Sequence, residues 1–385
     1  MSGRQVITLG IASYNNYIYL KEAVDSVLNQ NYPYIELIIS NDASPDFDEA
    51  EIREYIESHK KDNIVNYIIN NHETNQGTVR NVNYIRRNAT GEFLMLMAAD
   101  DALYDETVLS SFVAEFNRLG DDEYIISAQT AMCGKELDKV RSYEPSTAGI
   151  QAIKNFTPEE MFSRLSHTFT IPTTSTCYRM SLYDLVGPYN EEYFIIEDAP
   201  LYLKMARMGL KFHWLDGMIA ARHRDGGISH GNAKNTSESY RKYRYDEVLI
   251  FKNEILPYQD RLLPNDRRIM LEKWEYLKQA YDSDFSLTGR TVAKDSSFIG
   301  KFKESFLWLF KLQGYGAVCM VIPYLLLHFH IFDEIFSQNL IGILEGYFAY
   351  ATFFFFLVGG LLIIFRELGY GILLIKKVLR KIIRK

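Results

Sequence analysis

The chain has 385 residues, 47% of them hydrophobic and 24% charged, which excludes a disordered or fibrous protein and leaves room for two domains. Its formal net charge of −7 argues against a nucleic-acid-binding protein. Three widely spaced cysteines exclude a disulfide framework and a close cysteine metal cluster. Basic residues are concentrated at the C-terminal end, so the rest of the chain is acidic.

The first 118 residues alternate between short apolar runs and stretches of helical periodicity. The apolar run at 6–12 is too short for the hydrophobic region of a secretory leader, so we expect the N-terminus in the cytosol. Strands are predicted at 6–11, 35–39, 65–69 and 93–97, and helices at 20–28, 49–58 and 78–87. This alternation is typical of βαβ units in an α/β fold with a mostly parallel sheet.

Polar residues follow the end of each predicted strand. They are Ser13, Tyr14 and Asn15, then Asn41, Asp42 and Ser44, then Asn75, Gln76 and Gly77, and finally Asp100 and Asp101. Each one alone has a structural explanation as a turn or helix-cap residue. Because α/β sheets bind ligands at the carboxyl ends of their strands, the whole set predicts a binding site there.

Two pairs of acidic residues each follow an apolar stretch. Asp100 and Asp101 come directly after a strand, where adjacent like charges are unfavourable unless a cation compensates them. Mg²⁺ or Mn²⁺ would suit this position, because these cations are typically ligated by one or two carboxylates, and substrate phosphates supply further ligands. The alternative is that Asp101 caps a helix. Glu197 and Asp198 stand at the start of a predicted helix. The sequence therefore allows two roles for this pair, a general base or a helix cap.

Two apolar stretches near the C-terminal end predict a membrane hairpin. Residues 346–365 carry no charge and are long enough to span a bilayer, whereas 315–332 are shorter and contain Pro323. Basic residues flank the pair on both outer sides, which places both ends in the cytoplasm. Buried core helices or interfacial segments are the alternative. Residues 372–385 alternate apolar and basic residues and are predicted to lie on an anionic leaflet.

Five sequence blocks occur in an order that resembles a known enzyme family. They are ITLGIASYNN (7–16), YLKEAVDSVLNQNYPYIELIISNDAS (19–44), NQGTVRN (75–81), ATGEFLMLMAADD (89–101) and GPYNEEYFIIEDAPLYLKMARMG (187–209). Over about residues 5–230 the chain resembles a family 2 glycosyltransferase of the GT-A fold, a layered Rossmann-like α/β domain. The resemblance implies a catalytic domain at 1–230, and we expect a helical connector at 231–312 and a membrane-anchoring region at 313–385.

The resemblance also implies roles for individual residues. The nucleotide sugar would contact Ser13, Tyr14, Asn15, Asp42, Gly77, Arg80, Asp100 and Glu197. Asp100 would ligate Mn²⁺ or Mg²⁺, and Asp198 would be the catalytic base. His223 lies in RHRDGGIS (222–229), which resembles the family's loop over the diphosphate, and would be a further metal or phosphate ligand.

Two positions depart from the family pattern. Ala98 stands where the family often has Asp at the first position of its metal motif. Val82 stands where the family often has Arg, immediately before Asn83, and Arg80 would substitute for it.

The function that this resemblance implies is inverting transfer of a sugar from a nucleotide diphosphate sugar, with a UDP-sugar as the favoured donor. The membrane hairpin suggests a lipid-linked saccharide acceptor at the cytoplasmic face of the cell membrane, in synthesis of a cell-surface polysaccharide. A metal-dependent sugar nucleotidyltransferase and a non-catalytic membrane-anchored scaffold are the alternatives. The Gln-x-x-Arg-Trp motif of processive synthases is absent from the sequence, which favours addition of one sugar per encounter.

Overall fold

A computed structural model describes residues 4–168, 170–225 and 238–284 of the chain. The first of the chain's two units spans Met1–Asp282 and contains all but the last two of these residues. The predicted membrane hairpin at 315–332 and 346–365 and the basic tail lie outside the described ranges and stay predictions. None of the helices within those ranges is both long and apolar enough to cross a membrane.

The first half of the unit consists of βαβ units on a parallel sheet. Its elements are β1 (Ile7–Ser13), α1 (Tyr17–Leu28), β2 (Ile35–Asn41), α2 (Glu49–His59), β3 (Ile64–Asn71), α3 (Thr78–Asn88), β4 (Phe93–Ala98), β5 (Ala102–Leu103) and α4 (Val108–Leu119). The order β3-β2-β1-β4 is parallel throughout. The strands and helices predicted for this half are confirmed.

The second half makes the sheet mixed rather than mostly parallel. Its elements are β6 (Ile125–Cys133), β7 (Val140–Glu144), α5 (Thr147–Asn155), α6 (Pro158–Leu165), β8 (Thr176–Arg179), α7 (Leu182–Val186), α8 (Asp198–Arg207), β9 (His213–His223), α9 (Glu238–Ile250) and α10 (Pro264–Asp284). Among the described strands, four pairings are parallel and four antiparallel. The prediction of a mostly parallel sheet fails here because β8 runs antiparallel to both β4 and β6.

The sheet carries a hydrophobic cluster on each face, as strand periodicity requires. In β2, Leu37 and Ile39 pack with α1, α2 and α4, whereas Ile38 between them packs with α3 and the later helices. In β4, Met95 and Leu96 divide in the same way. Continuous apolar strands are expected where helices cover both faces of a parallel sheet.

Helices α9 and α10 belong to the core of this unit. Val248 of α9 and Met270 and Leu277 of α10 are buried in the cluster that also contains α8. The rings of Phe251 and Trp274 stack with their centroids 5.6 Å apart and an angle of 16° between their planes. Part of the region expected to be a connector, 231–312, therefore packs on the α/β sheet.

Candidate active site

A cleft of about 1210 Å³ lies at the carboxyl ends of β1, β2 and β4. Its lining includes seven of the residues predicted from the strand ends, namely Ser13, Tyr14, Asn15, Asp42, Asn75, Gly77 and Asp100. Glu197 and Asp198 at the start of α8, and His223 at the end of β9, line the same cleft. Of the residues that the resemblance assigns to nucleotide-sugar binding, metal binding or catalysis, all except Arg80 line the cleft, whereas the strand-end residues Asn41, Ser44, Gln76 and Asp101 do not.

The exception is Arg80, which the structure places outside the cleft lining. Thr78 and Asn81 of α3 line the cleft, and a residue two positions after Thr78 points away from it, because each helical residue turns by about 100°. The Nε atom of Arg80 lies 3.5 Å from Glu191, and both side chains are about half exposed. The assignment of Arg80 to nucleotide binding stays a prediction, with its side chain paired to Glu191 in this structure.

The loop after β1 connects the first strand to Asp100. Asn15 has a left-handed φ of 55°, and its N–H donates to Ser44 Oγ at 2.9 Å. Ser13 Oγ donates to Asn16 Oδ1 at 2.9 Å, and Asn16 Nδ2 donates to Asp100 Oδ1 at 3.2 Å. Asn16, which sequence reasoning did not select, therefore orients the carboxylate of Asp100.

Asp42 and Gly77 contact each other directly. The buried Asp42 carboxylate accepts the backbone N–H groups of Gln76 at 2.7 Å and Gly77 at 2.8 Å. Gly77 has a φ of +90°, and a Cβ atom there would lie 2.5 Å from the carbonyl oxygen of Phe194. Asp42 thus braces the turn that leads into α3, and glycine is required where this turn approaches Phe194.

The two carboxylates of the Asp100–Asp101 pair have different surroundings. Asp101 is only 1% exposed and accepts from His223 Nδ1 at 2.9 Å, the Arg224 N–H at 3.2 Å and Thr174 Oγ1 at 3.1 Å. Asp101 therefore ties the end of β4 to two other segments instead of capping α4, which begins further along the chain. Asp100 is the member of the pair that lines the cleft.

The local charges favour a positive group beside Asp100. Burial and the adjacent Asp101 raise the pKa of Asp100. Burial lowers the pKa of His223, but Asp101 and Asp100 outweigh it and raise that pKa to about 9. His223 therefore carries a proton at neutral pH. Within the described residues, no group of three or more His, Cys, Asp or Glu side chains forms a metal site.

Asp198 is the first residue of α8, and its carboxylate is held at both oxygens. Thr173 Oγ1 donates to Oδ2, and the N–H of Ala199 donates to Oδ1 at 2.7 Å. Beyond Thr173, Tyr202 OH donates to Thr173 Oγ1 at 3.4 Å, and the Tyr178 and Tyr202 hydroxyls are 2.6 Å apart. A chain of buried hydroxyl groups therefore supports the carboxylate from behind, while Asp198 lines the cleft.

Glu197 and Asp198 have environments that oppose ionisation. Burial raises the pKa of Asp198, and its hydrogen bonds from Thr173 and Ala199 act in the opposite direction. Burial and the charge of Asp198 raise the pKa of Glu197 to about 8. Both carboxyl groups are therefore protonated more easily than exposed ones, and Glu197 has the charge of Asp198 as an additional cause.

Helix α9 supplies cleft residues that sequence reasoning missed. Lys242, Tyr243 and Glu247 line the cleft, and Asp246 on the same helix binds the segment before Glu197. The sequence of this helix is polar and has no recognisable motif, so its local pattern predicted a connector. Only long-range packing onto the sheet brings it to the site.

Two solved structures show limited similarity to this chain. S. aureus TarS 1–349 in complex with UDP-GlcNAc is 18% identical and covers 74% of this chain and 76% of its own, with a TM-score of 0.49. The mannosyltransferase PcManGT from Pyrobaculum calidifontis, in complex with GDP-Man and Mn²⁺, is 18% identical and covers 72% and 71%, also with a TM-score of 0.49.

Three curated relatives match different lengths of the chain. A glycosyltransferase of Rickettsia typhi described as uncharacterized is 24% identical over 328 residues, which cover 81% of this chain and 92% of the relative. EpsJ of Bacillus subtilis, also described as an uncharacterized glycosyltransferase, is 24% identical and covers 64% and 70%. The minor teichoic acid biosynthesis protein GgaB of Bacillus subtilis is 32% identical over 111 residues, which are 28% of this chain and 12% of GgaB.

The family model described as glycosyl transferase family 2 matches residues 8–186. This region runs from β1 to the end of α7 and contains the polar strand ends and the Asp100–Asp101 pair. Together with the curated glycosyltransferase relatives, the match agrees with the resemblance seen in the sequence blocks. Residues 8–186, slightly less than half of the chain, are therefore similar to glycosyltransferase family 2.

Proposed function

We propose that this glycosyltransferase transfers a sugar from a nucleotide diphosphate sugar, with a UDP-sugar as the favoured donor, to an acceptor hydroxyl with inversion at the anomeric carbon. The observation that carries the proposal is that Asp100 and Asp198, which are 98 positions apart in the sequence, line a single cleft. Sugar transfer of this kind needs two such groups. One carboxylate faces the cation and the diphosphate, and the other accepts a proton.

The donor would lie along the ends of β1, β2 and β4, with its diphosphate near Asp100. A divalent cation would suit this place, because Asp100 lines the cleft, and burial and the adjacent Asp101 disfavour its charged form unless a positive charge is bound beside it. When bound, Mn²⁺ or Mg²⁺ would offset the charge that gathers on the departing diphosphate. His223 could ligate only after losing its proton, so in its charged state it would instead face the phosphates.

Asp198 would accept the proton of the acceptor hydroxyl as that oxygen attacks the sugar. Its position is held by Thr173 and Ala199, and its raised pKa makes it a stronger base than an exposed aspartate. Protonated Glu197 would donate a hydrogen bond to a sugar hydroxyl from the neighbouring position. A single displacement with one base inverts the anomeric configuration.

The acceptor and the location of the enzyme are proposals that rest on the sequence and on one relative. The apolar stretches at 315–332 and 346–365 and the basic tail suggest an enzyme held at the cytoplasmic face of the cell membrane. A lipid-linked saccharide would meet the cleft at that surface. The relative GgaB, described as a minor teichoic acid biosynthesis protein, supports a role in cell-surface polymer synthesis.

The test is a screen of the full chain against nucleotide sugars, with and without Mn²⁺ or Mg²⁺. A true donor should raise the melting temperature only in the presence of the cation, because a ligand that binds only the folded state stabilises it. The same donor should then release its nucleoside diphosphate, and the anomeric configuration of the transferred sugar should be inverted by NMR. Stabilisation by none of the UDP-, GDP- and dTDP-sugars would contradict the proposal.

A further inference from the structure

Asp246 of α9 makes an unusual set of contacts with the segment that precedes the acidic pair. Its side chain is fully buried, with 0% exposure. Its carboxylate accepts the backbone N–H groups of three successive residues: Phe194 at 2.9 Å, Ile195 at 2.6 Å and Ile196 at 3.0 Å. Glu197 and Asp198 follow immediately in the sequence.

The same segment is held from its other side by α3. The carbonyl oxygen of Phe194 accepts the N–H of Val79 at 3.3 Å, and Gly77 approaches Phe194 so closely that a Cβ atom would not fit. Lys242, one helical turn before Asp246, places its Nζ 3.7 Å from the centroid of the Phe194 ring. Residues 194–196 are therefore fixed between the turn braced by Asp42 and helix α9.

The energetics of Asp246 require this arrangement. A buried carboxylate without hydrogen-bond donors is strongly unfavourable, and burial raises the pKa of Asp246 while the three N–H groups oppose that shift. Hydrogen bonds from N–H groups to a charged acceptor are about twice as strong as neutral ones. A shift of residues 194–196 away from the carboxylate of Asp246 would leave this charge without hydrogen-bond donors. The contact therefore strongly favours one position of the segment.

We propose that Asp246 is a positioning residue, which sets the place of Glu197 and Asp198 in the cleft by holding the backbone of residues 194–196. The inference rests on the proposed function, because it is the sugar-transfer reaction that needs Asp198 at a defined position. Asp246 does not line the cleft, so it would touch neither substrate. Its effect would reach the reaction through the backbone, from the amide groups of residues 194–196 to Glu197 and Asp198, which follow one and two positions later.

Hydrogen–deuterium exchange of the full chain tests the contact without any need for activity. In the wild type, the amides of residues 194–196 should be strongly protected. In Asp246→Asn the side-chain amide can no longer accept all three bonds, and exchange at these amides should rise at least about tenfold, the equivalent of one lost hydrogen bond. Exchange of these amides at solvent-exposed rates in the wild type would overturn the proposal even if the variant failed to fold.

Asp266→Asn is the matched control. Asp266 of α10 accepts from Ser163 Oγ at 2.6 Å and lies 3.1 Å from His167 Nε2, so the same chemical change removes contacts elsewhere in the unit. It should lower the melting temperature but leave exchange at 194–196 unchanged. Equal effects of both variants at 194–196 would mean that the segment responds to general destabilisation, which would contradict a specific role for Asp246.

The kinetic readout separates positioning from stability. In Asp246→Asn, kcat should fall by about 100-fold, the size expected for a misplaced catalytic group, while KM for the donor stays within about threefold. Unchanged kcat with loosened amides would overturn the positioning role. If the wild type transfers no sugar although its amides are protected, the proposed function fails and the contact itself stands.

The pH profile gives an independent measure. The carboxyl group of Glu197 interacts electrostatically with the carboxylates of Asp198 and Asp246 and with the phenols of Tyr183, Tyr189 and Tyr202. Because the charge of Asp246 contributes to the raised pKa of Glu197, its removal should shift the alkaline limb of the kcat profile to lower pH. Asp266→Asn should leave that limb in place. An unmoved limb in Asp246→Asn would contradict the electrostatic part of the role.

Discussion

Replacing Gly77 with alanine tests the closest approach in the cleft wall. The new Cβ would lie 2.5 Å from the Phe194 carbonyl oxygen and 2.7 Å from the Phe194 ring, so either the turn or the segment before Glu197 must move. With φ of +90° and ψ of 162°, Gly77 is in a backbone region that is essentially restricted to glycine, which costs a residue with a side chain about 1–3 kcal/mol. Overpacking adds about 1–3 kcal/mol. We expect a loss of about 2–6 kcal/mol in the free energy of unfolding.

The assay is urea-induced unfolding of the full chain followed by circular dichroism, and the control is Gly120→Ala. Gly120 also has a positive φ, +105°, but a Cβ there has no neighbour within 4 Å among the residues described. The control should lose only the conformational part, about 1–3 kcal/mol, because Gly120 lies in the same backbone region as Gly77. Gly77→Ala should also lower kcat, because Phe194 leads into Glu197 and Asp198. Equal stability losses in the two variants would refute the close contact between the turn and Phe194.

Two further predictions concern individual carboxylates. The buried carboxylate of Glu36 accepts hydrogen bonds from Thr8, Asn66 and Thr90. Burial raises the pKa of Glu36, but these hydrogen bonds outweigh burial, so the pKa in the folded state is lowered. The stabilisation by Glu36 is therefore lost as the pH falls through this folded-state pKa. Urea unfolding between pH 3 and 7 should show Glu36→Gln about 2 kcal/mol less stable at pH 7, with a smaller loss of stability on acidification; parallel curves would contradict this. Thr173→Val removes the hydroxyl that lowers the pKa of Asp198, so the acid limb of the kcat profile should move to higher pH, and an unmoved limb would exclude that bond.

The order of strands and helices up to residue 119 could be predicted because each element has a recognisable hydrophobic pattern in its own segment of sequence. Apolar runs such as 35–39 and helical spacing such as 20–28 depend only on neighbours in the sequence, and the polar strand ends at Ser13, Asp42 and Asp100 followed from that order. The structure confirms these elements and brings the strand ends into one cleft.

Long-range contacts could not be predicted in the same way. The antiparallel course of β8 between β4 and β6 depends on pairings between distant segments. The different roles of Asp100 and Asp101 depend on His223, which is more than one hundred residues away. Arg80 was selected from the family pattern, yet its place on α3 turns it toward Glu191.

Helix α9 shows the same limit most clearly. A polar helix beyond the motif region gives no local sign that Asp246 reaches the backbone of residues 194–196. The sequence did contain one indication, because the acidic residue Asp246 lies near the apolar positions Val248 and Ile250. The N–H groups that donate to Asp246 could not be identified without the fold.

The most direct test of the central claim compares Asp100→Asn and Asp198→Asn for nucleotide-sugar binding and turnover in the presence of Mn²⁺. The account predicts that Asp198→Asn binds the donor with the wild-type Kd but turns over about 1000-fold more slowly, as expected for loss of a general base. It predicts that Asp100→Asn loses the cation-dependent part of donor binding. Wild-type turnover by Asp198→Asn, or unchanged cation dependence in Asp100→Asn, would contradict the assignment of these two carboxylates.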